Sequence, residues 1–317
     1  MSESQATSHP EQAHDPKGPR KPTQDENLLN IPLDEETLKI RRSSDSWRVL
    51  RILGEFVWGF ENLQSVAGGV SIFAPNWGWR NVSLLDLVQT QLHLPILLDN
   101  GAQAMALAEM WFGAGKGINN LVVLLVGTGI GSGVITDGKL YRGVSNSAGE
   151  WGHTCIAMNG RPCRCGSRGC IEAYAGAPAI IEQIRERAPV SALLNHGSQI
   201  EILRALGAAA RKGDPLAVGM MDEIGATLGT GIGNLINLFN PQLIVLGGWA
   251  GTLLGADLLS RIQAIVGQVA LDQPLANTSI RVSALGWDAV SLGAATLALQ
   301  AFLIGEDITM RKKVRHP

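Results

Sequence analysis

Residues 149–174 read GEWGHTCIAMNGRPCRCGSRGCIEAY and contain every cysteine of the 317-residue chain. One histidine and three of the cysteines follow the spacing H-x9-C-x-C-x4-C, as His153, Cys163, Cys165 and Cys170. Three thiolates and one imidazole suit tetrahedral Zn²⁺. Clustered cysteines in a long chain favour a metal site over a disulfide framework. The stretch therefore predicts a structural zinc site.

The alternative for this stretch is a set of free buried thiols, because the two central cysteines are too close for a comfortable disulfide. Gly166 and Gly169 allow the chain to fold back so that the last cysteine reaches the same ion. Cys155 shares a strand face with His153. It is either a competing ligand or a core residue, and the core role is favoured.

Two glycine-rich segments follow buried strands on either side of the cysteine stretch. Residues 122–143 read VVLLVGTGIGSGVITDGKLYRG, and residues 240–251 read NPQLIVLGGWAG. Backbone N–H groups at such turns can bind phosphate, although each turn alone is unspecific. Asp137-Gly138 predicts a hairpin turn. Helical patterns alternate with these strands, which predicts an α/β architecture.

The composition limits the class of protein. The formal net charge is -2, the sequence pI is about 6.3 and charged residues make up 17%. These values argue against a generally basic nucleic-acid binder. No apolar run reaches the roughly 18 residues of a membrane span, and the polar N-terminus does not resemble a secretory signal. We therefore expect a cytoplasmic protein with no membrane partner.

The N-terminal part of the chain has a different character. Residues 1–27 have almost no large apolar side chain and are expected to be a disordered tail. Within residues 28–73, a short helix is expected from Asp34. An amphipathic helix is expected over 44–63, where apolar residues recur at three- and four-residue steps. A short strand is expected at 70–73.

Taken together, the motifs GTGIGSG, GEWGHT, CRCGSRGCIE and LIVLGG, in this order, resemble the ROK family of repressors, open reading frames and kinases. The resemblance covers about residues 74–305. It implies an actin-like ATPase (ribonuclease H-like) fold with a large domain at 118–286, which carries the zinc loop 153–172. It also implies a smaller lobe, here truncated, made of residues 74–117 and about 287–306.

The resemblance assigns roles to individual residues. Glu150, His153 and Glu172 would hydrogen-bond the hydroxyls of a hexose or amino-hexose, and Asn100 would contact the same sugar. His153 would ligate zinc through its other nitrogen. The nucleotide-binding remnant would comprise Gly127, Thr128, Gly129, Gly131, Gly247 and Gly248.

Two departures from the family pattern argue against kinase activity. The aspartate that acts as the general base in family kinases maps onto Gly101, and a general base is typically worth about 10²–10⁴-fold. Asp99 is an unfavoured substitute, since along a strand it would lie roughly 6.6 Å away. The family's first phosphate hairpin, Asp-x-Gly-Gly-Thr, is not found, and neither is a convincing helix-turn-helix for binding DNA.

Residues 28–73 resemble instead the N-terminal lead-in of the Lonely Guy (lysine-decarboxylase-like) phosphoribohydrolases, whose catalytic motifs are not in this chain. A join between two unrelated beginnings is therefore expected near Phe73–Ala74.

The sequence thus predicts a zinc-stabilised sugar-binding protein, derived from a regulator and without kinase activity. The first alternative is an ATP-dependent, glucokinase-like hexose kinase, which would require ATP and Mg²⁺. The second is a sugar-responsive transcriptional repressor. A homo-oligomer is expected in each case.

Overall fold

A computed structural model describes residues 65–67, 69–74, 79–92 and 96–304. The first elements are β1 (Ser65–Ala67), β2 (Val70–Ala74), β3 (Trp79–Val82), α1 (Leu84–Leu92) and α2 (Gly101–Phe112). Next come β4 (Leu121–Val126), β5 (Ile130–Thr136), β6 (Lys139–Tyr141), a 3-10 turn (Trp151–His153), α3 (Glu172–Ala175), α4 (Ala177–Arg187) and α5 (Gln199–Arg211). The last elements are α6 (Pro215–Phe239), β7 (Leu243–Gly247), α7 (Gly248–Val269), α8 (Asp272–Ala276), β8 (Ser279–Val282) and α9 (Ala289–Ile304).

A five-stranded mixed sheet forms the centre of this part of the chain, in the order β6-β5-β4-β7-β8. β4 pairs antiparallel with β5 and parallel with β7, so Val123 lies opposite both Gly133 and Val245. The apolar run LVVLLV forms a central strand because both of its faces are covered and all six residues are buried. The predicted α/β class is confirmed.

The two faces of β4 pack against different layers. Val122, Leu124 and Val126 face a core shared with α4, α5, α6 and α7. The alternate residues of the strand face a second core with Met105 of α2 and Val290 of α9. This alternation follows from the two-residue repeat of side chains along a strand.

The hairpin between β5 and β6 forms at the expected residues. Asp137 and Gly138 both have positive φ angles, of 51° and 71°. A two-residue turn with both residues in this region matches the twist of the strands on either side, and Asp-Gly is a favoured pair for it. The predicted hairpin is confirmed.

The long helices α6 and α7 approach each other closely along a row of glycines. A Cβ atom at Gly225, Gly229 or Gly233 would come within 2.6–2.7 Å of a side-chain carbon of α7. Because the three positions are four residues apart, they lie along one face of α6. This face of α6 therefore packs closely against α7.

The small first sheet differs from the sequence-based expectation. It has the order β1-β2-β3, with both pairs antiparallel. The predicted strand at 70–73 is confirmed within β2. The apolar run that begins at Pro95 also predicts a short strand at Pro95–Asp99. This prediction is wrong over its described residues, because 96–99 adopt no regular structure and lie half-buried. The short strands β1 and β3 escape prediction because three or four residues are too few for a clear alternating pattern.

The predicted division into domains remains a prediction. Both α2 and α9, which were expected in a small lobe, contribute to the core on the five-stranded sheet. The expected tail at 1–27, the helix from Asp34 and the helix over 44–63 lie outside the described residues. Among the helices of the described ranges, none has both the length and the apolar character needed to cross a membrane.

Candidate metal centre and ligand site

The four predicted metal ligands lie together. One donor atom from each of His153, Cys163, Cys165 and Cys170 falls within 4.8 Å of every other. The Sγ atoms of Cys165 and Cys170 are 3.7 Å apart, and Cys163 Sγ is 3.6 Å from His153 Nδ1. Zn–S bonds of about 2.3 Å and a Zn–N bond of about 2.0–2.1 Å at tetrahedral angles would give separations of about 3.8 and 3.6 Å. The cluster therefore fits Zn²⁺ in both donor chemistry and spacing.

Backbone pairing closes the loop that carries the ligands. Ile156 N–H donates to the carbonyl of Gly169, and Ile171 N–H donates to the carbonyl of Thr154. Gly169 has a φ of +74°, and a Cβ atom there would lie 1.9 Å from the carbonyl oxygen of Ala157. No other residue fits this position without displacing the paired backbone, so the expected role of this glycine in folding the loop back is confirmed.

Cys155 is outside the metal cluster. Its backbone pairs with that of Cys170 in an isolated bridge between the two arms of the loop, but Cys155 is exposed to solvent. The favoured core role is therefore wrong. The alternative role as a ligand has no support either, since Cys155 is not among the clustered donors.

His153 connects the metal cluster to Glu172. Its Nδ1 atom faces Cys163, and its Nε2 atom lies 4.0 Å from Glu172 Oε2. Burial lowers the pKa of His153, which favours the neutral imidazole that metal binding needs. A metal on Nδ1 would fix the tautomer and leave Nε2–H directed towards the carboxylate.

Glu172 begins the short helix α3 and is 7% exposed. Its Oε2 atom accepts a hydrogen bond of 2.8 Å from the backbone N–H of Ile130, the first residue of β5. Burial raises the pKa of this carboxyl to about 7, against the opposing effects of the Ile130 N–H and the charge of Arg164. The side chain is thus a partly desolvated acceptor fixed to the end of a core strand.

Glu150 is held at the same strand end by the residues on either side of it. The carbonyl of Gly149 accepts from the Ser132 N–H at 2.8 Å and from the Ser132 hydroxyl at 3.0 Å. On the other side, a Cβ atom at Gly152 would lie 2.1 Å from the Ile130 carbonyl oxygen. Burial, followed by the like charge of Glu172, raises the pKa of Glu150 to about 8. Glu150, His153 and Glu172 are therefore grouped around the start of β5.

Trp151 is a core residue. It is 4% exposed, and its indole N–H donates to the carbonyl oxygen of Gly231 in α6 at 3.2 Å. This agrees with the favoured expectation of core packing over contact with a sugar face.

Asn100 caps helix α2. Its Oδ1 atom accepts from the N–H groups of Ala102 and Gln103, at 2.8 and 3.3 Å. This is the usual role of an N-cap asparagine. The helix N-terminus thus engages the Asn100 oxygen, and contact between the Asn100 side chain and a sugar remains a prediction.

Asp99, two residues before Gly101, forms an ion pair with Arg142. Arg142 donates from Nη1 to Asp99 Oδ1 at 2.7 Å and from Nη2 to Oδ2 at 2.6 Å. The same guanidinium also donates to Gln103 Oε1 and Asn146 Oδ1. Both oxygens of Asp99 accept from this fork, so the carboxylate is poorly placed to remove a proton from a ligand.

Sequence reasoning missed this network. Its hydrogen bonds join residues that are far apart in sequence. Arg142 is 43 residues from Asp99 and 39 residues from Gln103, and Gln103 is 43 residues from Asn146. The only local signal is an arginine at the start of a loop of small residues, RGVSNSAG. The Gln103 side chain also donates to the carbonyls of Asn146 and Ala148, which ties that loop to α2.

The two glycine turns that are predicted to contact a nucleotide lie side by side. Val126 and Gly247 end the neighbouring parallel strands β4 and β7. Gly248 has a φ of +75°, and a Cβ atom there would lie 2.6 Å from the backbone of Val126. Ligands of open α/β sheets bind at this carboxyl edge, so the placement suits the expected phosphate contacts.

A cavity of about 240 Å³ opens beside the metal loop. Its lining includes Thr128, Arg161, Cys163 and Glu172. Of the four expected sugar-binding residues, only Glu172 lines it. The convergence of all four on one cleft therefore remains a prediction.

The comparisons with known proteins agree on one family. The family model "ROK family" matches residues 63–301. The sequence is 31% identical over 282 residues to a xylose repressor from Caldicellulosiruptor bescii, covering 88% of this chain and 70% of that protein. It is 35% identical to a glucokinase from Halalkalibacterium halodurans, covering 73% of this chain and 72% of that protein.

The resemblance of residues 28–73 to Lonely Guy proteins finds no support. The family match begins at residue 63, so the join expected near Phe73–Ala74 lies inside it. In addition, the similarity to the xylose repressor covers 88% of the chain, which is longer than the stretch 74–317. This similarity therefore includes residues before Ala74. The error arose because a short amphipathic segment is a weak signal of ancestry.

A solved structure shows the same fold. A ROK family glucokinase from Streptomyces griseus, in complex with glucose and AMPPNP, superimposes with a TM-score of 0.66 at 32% identity. The match covers 76% of this chain and 80% of that one. With the mixed sheet and the cluster of one histidine and three cysteines, the fold is the actin-like ATPase fold with a zinc motif. The chain belongs to the ROK family of sugar kinases and sugar-responsive repressors.

Proposed function

We propose that this chain is a zinc-stabilised sugar-binding protein, derived from a regulator and without kinase activity. One observation carries the proposal. The segments that carry Glu150 and Glu172 are both hydrogen-bonded to the first residues of β5, and Glu172 Oε2 lies 4.0 Å from His153 Nε2. By contrast, the carboxylate of Asp99, two residues before Gly101, forms an ion pair with Arg142. The groups that would recognise a sugar are thus grouped in the fold, but the group that would deprotonate it is missing.

Zinc would be held by His153, Cys163, Cys165 and Cys170, with a structural rather than a catalytic role. When bound, it supplies a rigid cross-link and a fixed imidazole tautomer. His153 can then donate from Nε2, while Glu150 and Glu172 accept from hydroxyls. Once the pH exceeds the pKa values of these carboxyls, about 8 and 7, the bonds are charge-assisted and roughly twice as strong as neutral ones.

Phosphoryl transfer would need a base at the attacking hydroxyl. Gly101 has no side chain to provide one, and Asp99 faces a guanidinium. The glycine turns lie at the carboxyl edge of the sheet, where ligands of open α/β sheets bind, so weak nucleotide binding without turnover is compatible with the proposal. A cytoplasmic location and a homo-oligomeric state remain predictions.

The test combines calorimetry with an activity assay. Glucose, xylose and N-acetylglucosamine are titrated with and without AMPPNP, and ADP release is followed with ATP and Mg²⁺. We expect binding of at least one sugar without dependence on nucleotide, and negligible ADP release. The Gly101→Asp variant should not recover full activity. Turnover by the unaltered chain would instead establish the kinase alternative.

The repressor alternative has one specific observation in its favour, namely the similarity to a xylose repressor over 88% of the chain. DNA fragments that carry candidate operators, tested with and without xylose, distinguish it from a protein that only binds sugar. Sugar-sensitive retention of such a fragment would establish the repressor.

A further inference from the structure

Helix α6 carries glycines on two different faces. Gly225, Gly229 and Gly233 face α7. Gly231 lies two residues from both Gly229 and Gly233. Two residues correspond to about 200° around the helix axis, so Gly231 faces the opposite side of α6. On that side it meets Trp151 and Ile171.

The missing side chain of Gly231 makes room for these two residues. A Cβ atom at this position would lie 2.6 Å from Ile171 Cδ1 and 2.8 Å from Trp151 Cζ2. The methyl end of the isoleucine is flexible and can turn away. The indole ring is buried and hydrogen-bonded to the Gly231 carbonyl, so it can yield only if the turn that carries it moves.

Trp151 and Ile171 lie in the two chain segments that carry the predicted metal and sugar ligands, one residue in each segment. Trp151 follows Glu150 and precedes His153 by two residues in the 3-10 turn. Ile171 stands between the metal ligand Cys170 and Glu172. A single surface of α6 thus supports both chain segments that bring the site together.

We propose that Gly231 is a positioning residue, which sets the distance between the segment of Glu150 and His153 and the segment of Cys170 and Glu172. The part of this inference that concerns the sugar rests on the proposed function. The part that concerns the metal does not, because His153 and Cys170 belong to different segments.

The test compares Gly231→Ala with Gly229→Ala. Both substitutions add one methyl group to a buried glycine of α6 and gain the same helix propensity. At Gly229 the new Cβ atom would meet Ile265 Cβ at 2.7 Å, on the α7 side and away from the site. The two variants therefore introduce close contacts of similar length, 2.6–2.8 Å, at different places.

Two measurements are made on each folded variant. The absorption spectrum of the Co²⁺-substituted protein reports the geometry around the metal, and calorimetry reports the affinity for glucose and xylose. We expect Gly231→Ala to change the Co²⁺ spectrum and to weaken sugar binding about tenfold, which corresponds to the loss of one hydrogen bond to a charged group. Gly229→Ala should leave the spectrum unchanged and alter the affinity less than about twofold, since it is remote from the site.

The outcomes separate this inference from the proposed function. If the unaltered protein binds none of the three sugars titrated to test the proposed function, that function fails and the Co²⁺ spectra alone decide the role of Gly231. If the two alanine variants behave alike in both measurements, the positioning role is overturned.

A second substitution covers the case in which Gly231→Ala does not fold. Trp151→Phe keeps the glycine but removes the indole N–H and the outer ring atoms that contact it. We expect weaker sugar binding from Trp151→Phe alone. Where Gly231→Ala does fold, the double variant should bind sugar better than Gly231→Ala alone. Unchanged sugar affinity and an unchanged Co²⁺ spectrum in Trp151→Phe would overturn the inference.

Discussion

The segment 149–172 and the start of helix α2 differ in what their polar groups face. In the first, Glu172 accepts from the Ile130 N–H at the start of β5 and lies 4.0 Å from His153 Nε2, and burial raises the pKa of the neighbouring Glu150. At the start of α2, Asp99 bonds to Arg142 and the Asn100 oxygen caps the helix. Polar groups that serve a ligand pay a desolvation cost in its absence, whereas the groups around α2 already satisfy one another.

Under the proposed function, this difference separates sugar binding from catalysis in this chain. The segment that would recognise a sugar carries partly desolvated carboxyl groups. The segment that would supply the general base has become a stabilising network. The following predictions test whether the two segments really behave in these different ways.

Removal of zinc should have the largest effect. Structural zinc sites in small peptides contribute apparent binding free energies of about 10–16 kcal/mol, so chelation should loosen residues 153–172. The Cys170→Ser variant should lose most of its zinc, whereas Cys155→Ser should keep a full equivalent, because Cys155 is outside the cluster. Metal analysis and thermal unfolding check this, and less than a half-equivalent of zinc in the unaltered protein would contradict it.

Loss of the two carboxylates should come next. Titrated at pH 9, above the pKa values of both carboxyls, the double variant Glu150→Ala, Glu172→Ala should lose at least about 3 kcal/mol of hexose binding free energy, because hydrogen bonds to charged groups contribute about 1.5–3 kcal/mol each. His153→Ala or Glu172→Ala alone should also reduce binding below detection if the initial affinity is modest. Calorimetry measures the change, and an unaltered affinity in the double variant would show that the ligand binds elsewhere.

Substitution of Arg142 should affect stability more than binding. Arg142→Gln leaves the buried Asp99 carboxylate without its main partner, and we expect a loss of about 1–3 kcal/mol in the free energy of unfolding. The side chain of Arg142 is 36% exposed, which limits the effect. Denaturant unfolding gives the stability and calorimetry the sugar affinity. A larger loss of affinity than of stability would show that this network also serves the ligand.

The pH dependence of stability should show the smallest effect. The pKa of Glu150 is about 8 in the folded protein and near 4.5 when unfolded, so the folded state holds more protons between these values. Its contribution to stability is therefore present below about pH 4.5 and is lost as the pH rises through 8. Relative to the unaltered protein, Glu150→Gln should gain about 1–2 kcal/mol between pH 5 and pH 9, less than the full shift implies because a bound metal would favour the carboxylate.

Urea unfolding of both proteins at several pH values measures this difference. A difference that stays constant with pH would mean that Glu150 is already ionised in the folded state.

The metal site and the central sheet could be predicted from the sequence because both depend on local patterns. The run LVVLLV is apolar throughout, and the cysteine spacing places soft ligands within reach of one ion. The Arg142 network could not be predicted, because its contacts join residues that are far apart in sequence and any of several carboxylates would have suited the same arginine. The exposure of Cys155 depends similarly on how the loop lies on the surface.

The placement of β4 has a consequence for the order in which the protein opens. This strand is bonded to a neighbour on each side and covered by helices on each face, and all six of its residues are buried. Its amide hydrogens have no local route to solvent, so they should exchange with deuterium only when the whole domain unfolds. The metal loop lies beyond the end of the sheet, and its amides should exchange through smaller, local openings. Exchange rates along the chain would therefore record two separate free energies, one for the sheet and one for the loop.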